Sequence, residues 1–291
     1  LLTPIILFVI LMVLLYIPPV QNLLRREVTA YASKATGMQI QVERIDLRFP
    51  LNLLVRGVEV IQQPDTLLSL ESLNVRVQAW PLLKGKVEVD EVTLSQVAVN
   101  SANLIEGMQI KGVLGRFFLQ SHGVDLSNET AVVNRTELSD THIQLLMTDT
   151  TTTPKDTTAS APVNWKVNLH QLKLKNVSFG MKLPADSMKM AAYIGEATID
   201  DAKADLKNQF YGLKQFLLSG ASASYDTGEA QPSEGFDASH MAVRNIRIGL
   251  DSLLYEGRNM NAVIREITME ERSGLSITSL TGRLFSNDSI I

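Results

Sequence analysis

The sequence contains no cysteine, which excludes disulfides and thiolate metal sites without fixing a compartment. Aromatic residues are only 6% of the chain while Val, Leu and Ile are plentiful, a balance that suits sheet surfaces better than one large globular core. Charge of one sign is never concentrated. The 27 Lys and Arg and the 31 Asp and Glu are scattered, the net charge is −4, and there is no basic footprint for nucleic acid. Patterns that carry chemistry are missing as well. There is no G-x-S-x-G elbow and no phosphate loop. His122, His142, His170 and His240 stand far apart, without a second ligand at metal spacing. Asp200, Asp201 and Asp205 alternate with Ala202 and Ala204, the pattern of a solvated strand edge. The expectation is a protein that is not an enzyme and uses no metal or cofactor.

What is present begins with one long apolar run. Residues 1–24, "LLTPIILFVILMVLLYIPPVQNLL", carry no charge, and about 20 apolar residues suffice to cross ~30 Å of hydrocarbon. Tyr16 sits where an interfacial aromatic belongs, and Pro18-Pro19 would end the helix by removing two N–H donors. This predicts a transmembrane anchor over 1–19. A cleaved signal peptide would need small residues at a cleavage site, and none follow. Arg25 and Arg26, taken alone, argue for a cytoplasmic body, but the flank before Leu1 weighs equally in that balance. Val20, Leu23, Leu24, Val28, Tyr31, Ala32 and Ala35 then recur at spacings of three and four. They predict an amphipathic helix over 20–37 that ends at Gly37 and either packs on the sheet or lies on the membrane surface.

From Met38 onward the pattern is almost wholly that of strands, but strands with slips. In "VEVDEVTLSQVAV" the apolar positions are Val87 and Val89, then Val92 and Leu94, then Val97 and Val99. A strand has period 2, so each slip would throw the apolar set onto the other face unless the chain bends there. Adding 80 to each position gives Val167, Leu169, Leu172, Leu174, Val177 and Phe179, all apolar. Subtracting 47 from the first four gives Ile40, Val42, Ile45 and Leu47. The pattern reads as a repeated unit whose slips are bulges or turns that re-aim each strand toward one surface. Seventeen short strands are expected, among them 86–90, 91–100, 163–170, 171–181, 189–200 and 202–207, with turn signals about every ten residues. The layout is a first β segment over 38–147, a disordered Thr-rich hairpin tip at 148–162, and a second β segment over 163–291 in a chain that continues further. A second exposed loop is expected at 226–239.

Inward positions that are monotonously Val, Leu and Ile suggest successive hairpins curled into an open half-pipe, dry inside and polar outside, on the order of 80 Å long. Such an apolar surface normally exists to bind something apolar. The twelve repeat residues named above, Val87 to Val99 and Val167 to Phe179, are the expected lining. The competing structural reading is a membrane-tethered β-stalk that scaffolds envelope protein assembly, its apolar faces sealed in a closed core.

Over residues 1 to about 100 the apolar helix is followed in order by "IPPVQNLL", "ATGMQIQVERIDLRFPLNLLVRGVEV", "DTLLSLESLNVRV" and "PLLKGKVEVDEVTLSQVAV". This succession resembles the N-terminus of the AsmA/TamB superfamily. It implies a mainly β protein: an N-terminal transmembrane helix and short amphipathic helix, followed by an open, elongated antiparallel β-groove of taco-like repeating hairpins. It also implies a single-pass anchor in the bacterial inner membrane, a periplasmic body, and phospholipid acyl chains as partners. TamB-type relatives act in addition with an outer-membrane barrel protein of the TamA type, through a C-terminal region not present in this sequence. Finally, Asp65-Thr66, Asp149-Thr150, Asp156-Thr157, Asp186-Ser187, Asp251-Ser252 and Asp288-Ser289 resemble acceptor sites of some Gram-negative O-glycosylation systems. That makes Thr66, Thr150, Thr157, Ser187, Ser252 and Ser289 candidate modification sites; the same dipeptides are also ordinary turn chemistry.

Overall fold

In a computed structural model the described residues are 16–49, 51–78, 81, 88–102, 104–125, 128–147, 164–228 and 231–287. The expected anchor over 1–19 lies almost entirely outside them. Among the described residues no helix is long and apolar enough to cross a membrane.

One helix, α1 (Pro18–Thr36), precedes the sheet. Pro18 and Pro19 occupy its first turn, where a missing N–H costs nothing and the fixed φ already suits a helix, so here they start a helix. Gly37 ends it in the left-handed region at φ 69°, donating its N–H to Ser33 O at 3.0 Å. The helix docks by its polar side. The Gln21 amide donates to Leu47 O and the Arg25 guanidinium to Val42 O, both at 3.0 Å, while Ser33 Oγ accepts the Ile40 N–H. These contacts cover an edge strand that would otherwise invite another chain. Three residues of the apolar stripe are left in the open, Leu23 57%, Val28 52% and Tyr31 76% exposed, while Val20 and Ala32 are half-buried. The apolar periodicity is therefore not a packing face for the sheet.

Thirteen strands among the described residues form one sheet. They are β1 (Gln39–Arg48), β2 (Asn52–Gln62), β3 (Asp65–Val77), β4 (Val89–Asn100), β5 (Met108–Asp125) and β6 (Thr130–Met147). There follow β7 (Lys166–Leu183), β8 (Met188–Asp205), β9 (Phe210–Leu213), β10 (Gln215–Asp226), β11 (His240–Glu256), β12 (Asn259–Glu271) and β13 (Ser276–Ser286). Neighbours in sequence are neighbours in space, except that short β9 bridges β8 and β11 beside β10. β1 and β13 do not pair, so the sheet is open. The twelve strands of the main path span about 53 Å at ~4.8 Å per step, shorter than the 80 Å expected.

All pairs are antiparallel except β6–β7, which is parallel. A tight hairpin cannot join parallel neighbours, so the expected hairpin between them is corrected; the Thr-rich segment 148–162 itself lies outside the described residues. The parallel pair makes β7 run in the same direction as β4, which is why the offset of 80 relates equivalent positions. The offset of 47 does not. β1 runs opposite to β4, and the pairing puts Ile45 level with Leu94 and Leu47 level with Val92.

The strands are also longer than expected. The segments 163–170 and 171–181 are one strand, β7, and 189–200 and 202–207 are one strand, β8. The slips are kinks inside continuous strands. Gly57, Gln96, Asp140, Asn176 and Gly220 have φ of 57°, 49°, 51°, 53° and 62°, and all sit at one level of the sheet. There the ladder skips one residue on each strand: Glu43 and Gly57, Glu71, Gln96 and Gly115, Asp140, Asn176, Gly195. From β1 to β8 the strands turn over at this seam, so the pairing register is the same on both sides while the alternation changes phase. In β4, Val92 and Leu94 before the seam and Val97 and Val99 after it therefore belong to one face.

Candidate functional site: the two faces of the sheet

The pairing lines up apolar residues in rows that cross the whole sheet. One row runs Ile45–Val55–Leu73–Leu94–Phe117–Leu138 and continues Leu174–Ala197–Leu218–Ile248–Ile267–Leu280. Every strand of the main path contributes one apolar side chain to it. The next row, from Leu47 through Val92, Leu119, Leu172 and Ile199 to Ile264, is interrupted by Thr136 alone before ending at Gly282. Beyond the seam, Val42, Val58, Leu70, Val97, Leu114, Thr141, Val177 and Ile194 form a third. Among the described residues no second layer covers these rows. Each strand packs substantially only on its hydrogen-bonded neighbours, and no side chain of the described residues is fully buried. Most row residues are half-buried by their own neighbours; Ala197, between Leu174 and Leu218, falls to 4% exposure and Thr141 to 3%, while Leu280 at the edge is 45% exposed.

Eight of the twelve expected lining residues fall on cross-strand rows of this kind. Leu94 and Leu174 share one, Val92 and Leu172 another, Val97 and Val177 a third, and Val99 and Phe179 a fourth through Gly112 and Ile143. Val89 opens β4 opposite Val77, and its carbonyl accepts the Ser121 hydroxyl. Leu169 pairs with Val133 and Ala202, and Val167 with Ala131 and Ala204. Val87 lies outside the described residues. Leu73, Phe117, Leu138, Leu218, Ile248 and Ile267 belong to the same surface and were not singled out from sequence, although each sits in an alternating apolar stretch.

A concavity of about 1570 Å³ opens mainly on the other face. In β5 it is lined by Gln109 and Lys111 but not by Ile110 between them, and in β6 by His142 and Gln144 but not Ile143. In β7, β8 and β10 consecutive residues reach it, Phe179, Met181, Met190 and Ala223 among them. Of the twelve expected lining residues only Phe179 touches it. Of the four histidines, His142 lines it. His142 Nδ1 lies 2.5 Å from Ser178 Oγ, and His170 Nδ1 lies 3.0 Å from Asp201 Oδ1. Lys214 also reaches Asp201, at 2.8 Å; its hydrogen bond and that of His170 hold the Asp201 carboxyl below the usual range. Among the described residues no three His, Cys, Asp or Glu side chains come together as metal ligands.

The connection between β10 and β11 was expected as an exposed loop, and it is anchored by one carboxylate. Asp237 accepts the Ser233 and Ser239 N–H groups at 3.0 Å and lies 3.1 Å from His240 Nδ1. Those backbone donors lower its pKa from 3.8 to about 2. Glu271, held by the Ser273 hydroxyl and N–H and by the Ala242 N–H, falls from 4.5 to about 2. Both folded values are depressed, so their stabilisation is complete above the ordinary carboxylate range and is lost as pH falls through about 2. Amide exchange at Ser233, Ser239 and Ser273, corrected for intrinsic rates, should therefore quicken between pH 4 and 2 while amides at the centre of β4 and β5 stay protected. Unchanged protection of these three amides down to pH 2 would contradict the assignment.

Of the candidate modification sites, Thr66 is exposed at the start of β3 and Ser187 sits at φ 48° in the β7–β8 turn. Ser252 lies within β11, paired with Val263, where a glycan would meet the ladder. Thr150, Thr157 and Ser289 lie outside the described residues. No protein-family model and no curated protein matches this chain.

Proposed function

We propose that the chain is a β-groove protein of the AsmA/TamB type, anchored in the bacterial inner membrane with its body in the periplasm. Its apolar face shields acyl chains and takes part in phospholipid transport toward the outer membrane, in outer-membrane protein assembly with a barrel partner of the TamA type, or in both. The observation that carries this reading is the uninterrupted apolar row across twelve strands with no layer over it. Burial of each CH₂ is worth about 0.8 kcal/mol, and a tail stepping ~4.8 Å from strand to strand meets a side chain of like character each time. Equal energies at successive steps favour passage over arrest. The stalk reading requires an apolar face sealed by its own core, and the described residues supply no such seal.

The test is local. A photocrosslinker at position 94 should form phospholipid adducts in cells, and one at position 93, on the opposite face between Asn74 and Phe118, should not. Protein adducts alone at 94, with no lipid, would favour the stalk.

A further inference from the structure

The polar-face concavity owes its shape to residue size. Gly180, Ala191, Ser224 and Ala242 form one cross-strand row over β7, β8, β10 and β11. On one side stands the row His142–Ser178–Tyr193–Ser222, and on the other Leu146–Lys182–Lys189–Asp226. Small side chains between rows that carry His142, Tyr193, Lys182 and Lys189 make a trench, three strand spacings or ~14 Å long.

Its charge is unbalanced. Arg244 is satisfied by Glu270 at 3.1 Å, and Arg272 by the His240 carbonyl. Lys111, Lys182, Lys189 and Arg247 also line the trench, and among the described residues none has an ion-pair or side-chain hydrogen-bond partner. Asp226 stands opposite Lys189 without reaching it as an ion pair. Lys182 and Lys189 are directly opposite each other across the β7–β8 ladder. Like charges in that position destabilise a sheet, and a solvated face has no need to place them together. One dianionic group between the two ammonium groups removes the conflict.

We infer that this trench is a binding site for a water-soluble organic phosphate carrying at least two phosphate groups. One phosphate sits between Lys182 and Lys189, and another is met by Lys111 or by Arg247 at the ends. Ser178, Ser224 and Gln144 offer hydrogen bonds to the ligand's hydroxyls. A lipid headgroup offers the same phosphate chemistry, and Leu146, Phe179, Met181 and Met190 also line the concavity, so the soluble ligand and the headgroup are told apart by vesicle binding. This site is independent of the acyl-chain reading.

The experiment is calorimetric titration of the detergent-extracted full chain with inositol hexakisphosphate. Saturable binding is expected, weakened at least tenfold in Lys182→Ala/Lys189→Ala and unchanged in Lys203→Ala, which lies outside the trench. Gly180→Leu should block binding with all charges retained, since a Cβ there meets only Gln144 Cγ and Met190 O, each at 3.9 Å. Lys182→Glu should abolish binding while raising Tm, the signature of a like-charge pair kept for a ligand. Absence of saturable binding, or binding indifferent to the double substitution, overturns the proposal. Retention on phosphatidylglycerol vesicles with the same dependence on Lys182 and Lys189 overturns the soluble ligand and assigns the trench to headgroups.

Discussion

Replacing Leu94 by aspartate is expected to abolish recovery of phospholipid with the protein while costing only about 1–2 kcal/mol of stability. Leu94 is half-buried, flanked in its row by Leu73 and Phe117, and nothing packs over it among the described residues. A carboxylate there keeps its water. In a closed core the same change would leave a buried charge unpaired, at a cost of several kcal/mol. Leu174→Asp, between Leu138 and Ala197 in the same row, should behave alike. Thr93→Asp, one residue away on the polar face, should change neither property. Urea unfolding paired with mass spectrometry of co-purified lipid separates the cases. A loss of more than about 4 kcal/mol in Leu94→Asp, with lipid content unchanged, would mean that the row is a core and not a track.

The same row shows what sequence carries and what it cannot. The apolar alternation of β4 and β7 and its phase slips are local, and so is the αL stop at Gly37. Both were legible. The strand ends expected between 170 and 171 and between 200 and 202 lie inside β7 and β8, where Asp201 at φ 50° carries the same residue chemistry as a turn. Only pairing tells a kink inside a strand from a break between two. The parallel β6–β7 pair depends on contacts between strands whose connection has no strand signal, and the match at offset 47 imitated a repeat because an alternating pattern reads alike in both directions. The polar trench was invisible for a different reason. Gly180, Ala191, Ser224 and Ala242 come from four strands, and no one of them marks a floor until the register brings them together.

The seam makes the sharpest demand on the fold. It places Gly115 so close to its neighbour on β6 that an added Cβ would lie 2.7 Å from Asp140 Cβ, 3.0 Å from Asp140 O and 3.2 Å from Ser139 O. Two of those three atoms are backbone, so the strands must part to relieve the clash. Gly115→Val is therefore expected to cost about 3 kcal/mol, at the upper end for overpacking. Gln96 sits at the seam on the other side, and its backbone alone is needed. Gln96→Gly should be nearly neutral, since glycine adopts φ 49° without penalty, while Gln96→Val should lose roughly 1–2 kcal/mol. Deleting Gln96 is a different perturbation. It restores plain alternation through β4 while β3 and β5 still turn over, so Val97 and Val99 pass to the polar face and Ala98 and Asn100 replace them. The loss of two half-buried valines and of the pairs Val97–Leu70 and Val97–Leu114 should amount to about 3 kcal/mol or more. Urea midpoints should fall in the order wild type, Gln96→Gly, Gln96→Val, then Gly115→Val and the deletion together. A deletion as stable as wild type would mean that β4 does not turn over at Gln96, and the two halves of its apolar pattern would then face opposite sides of the sheet.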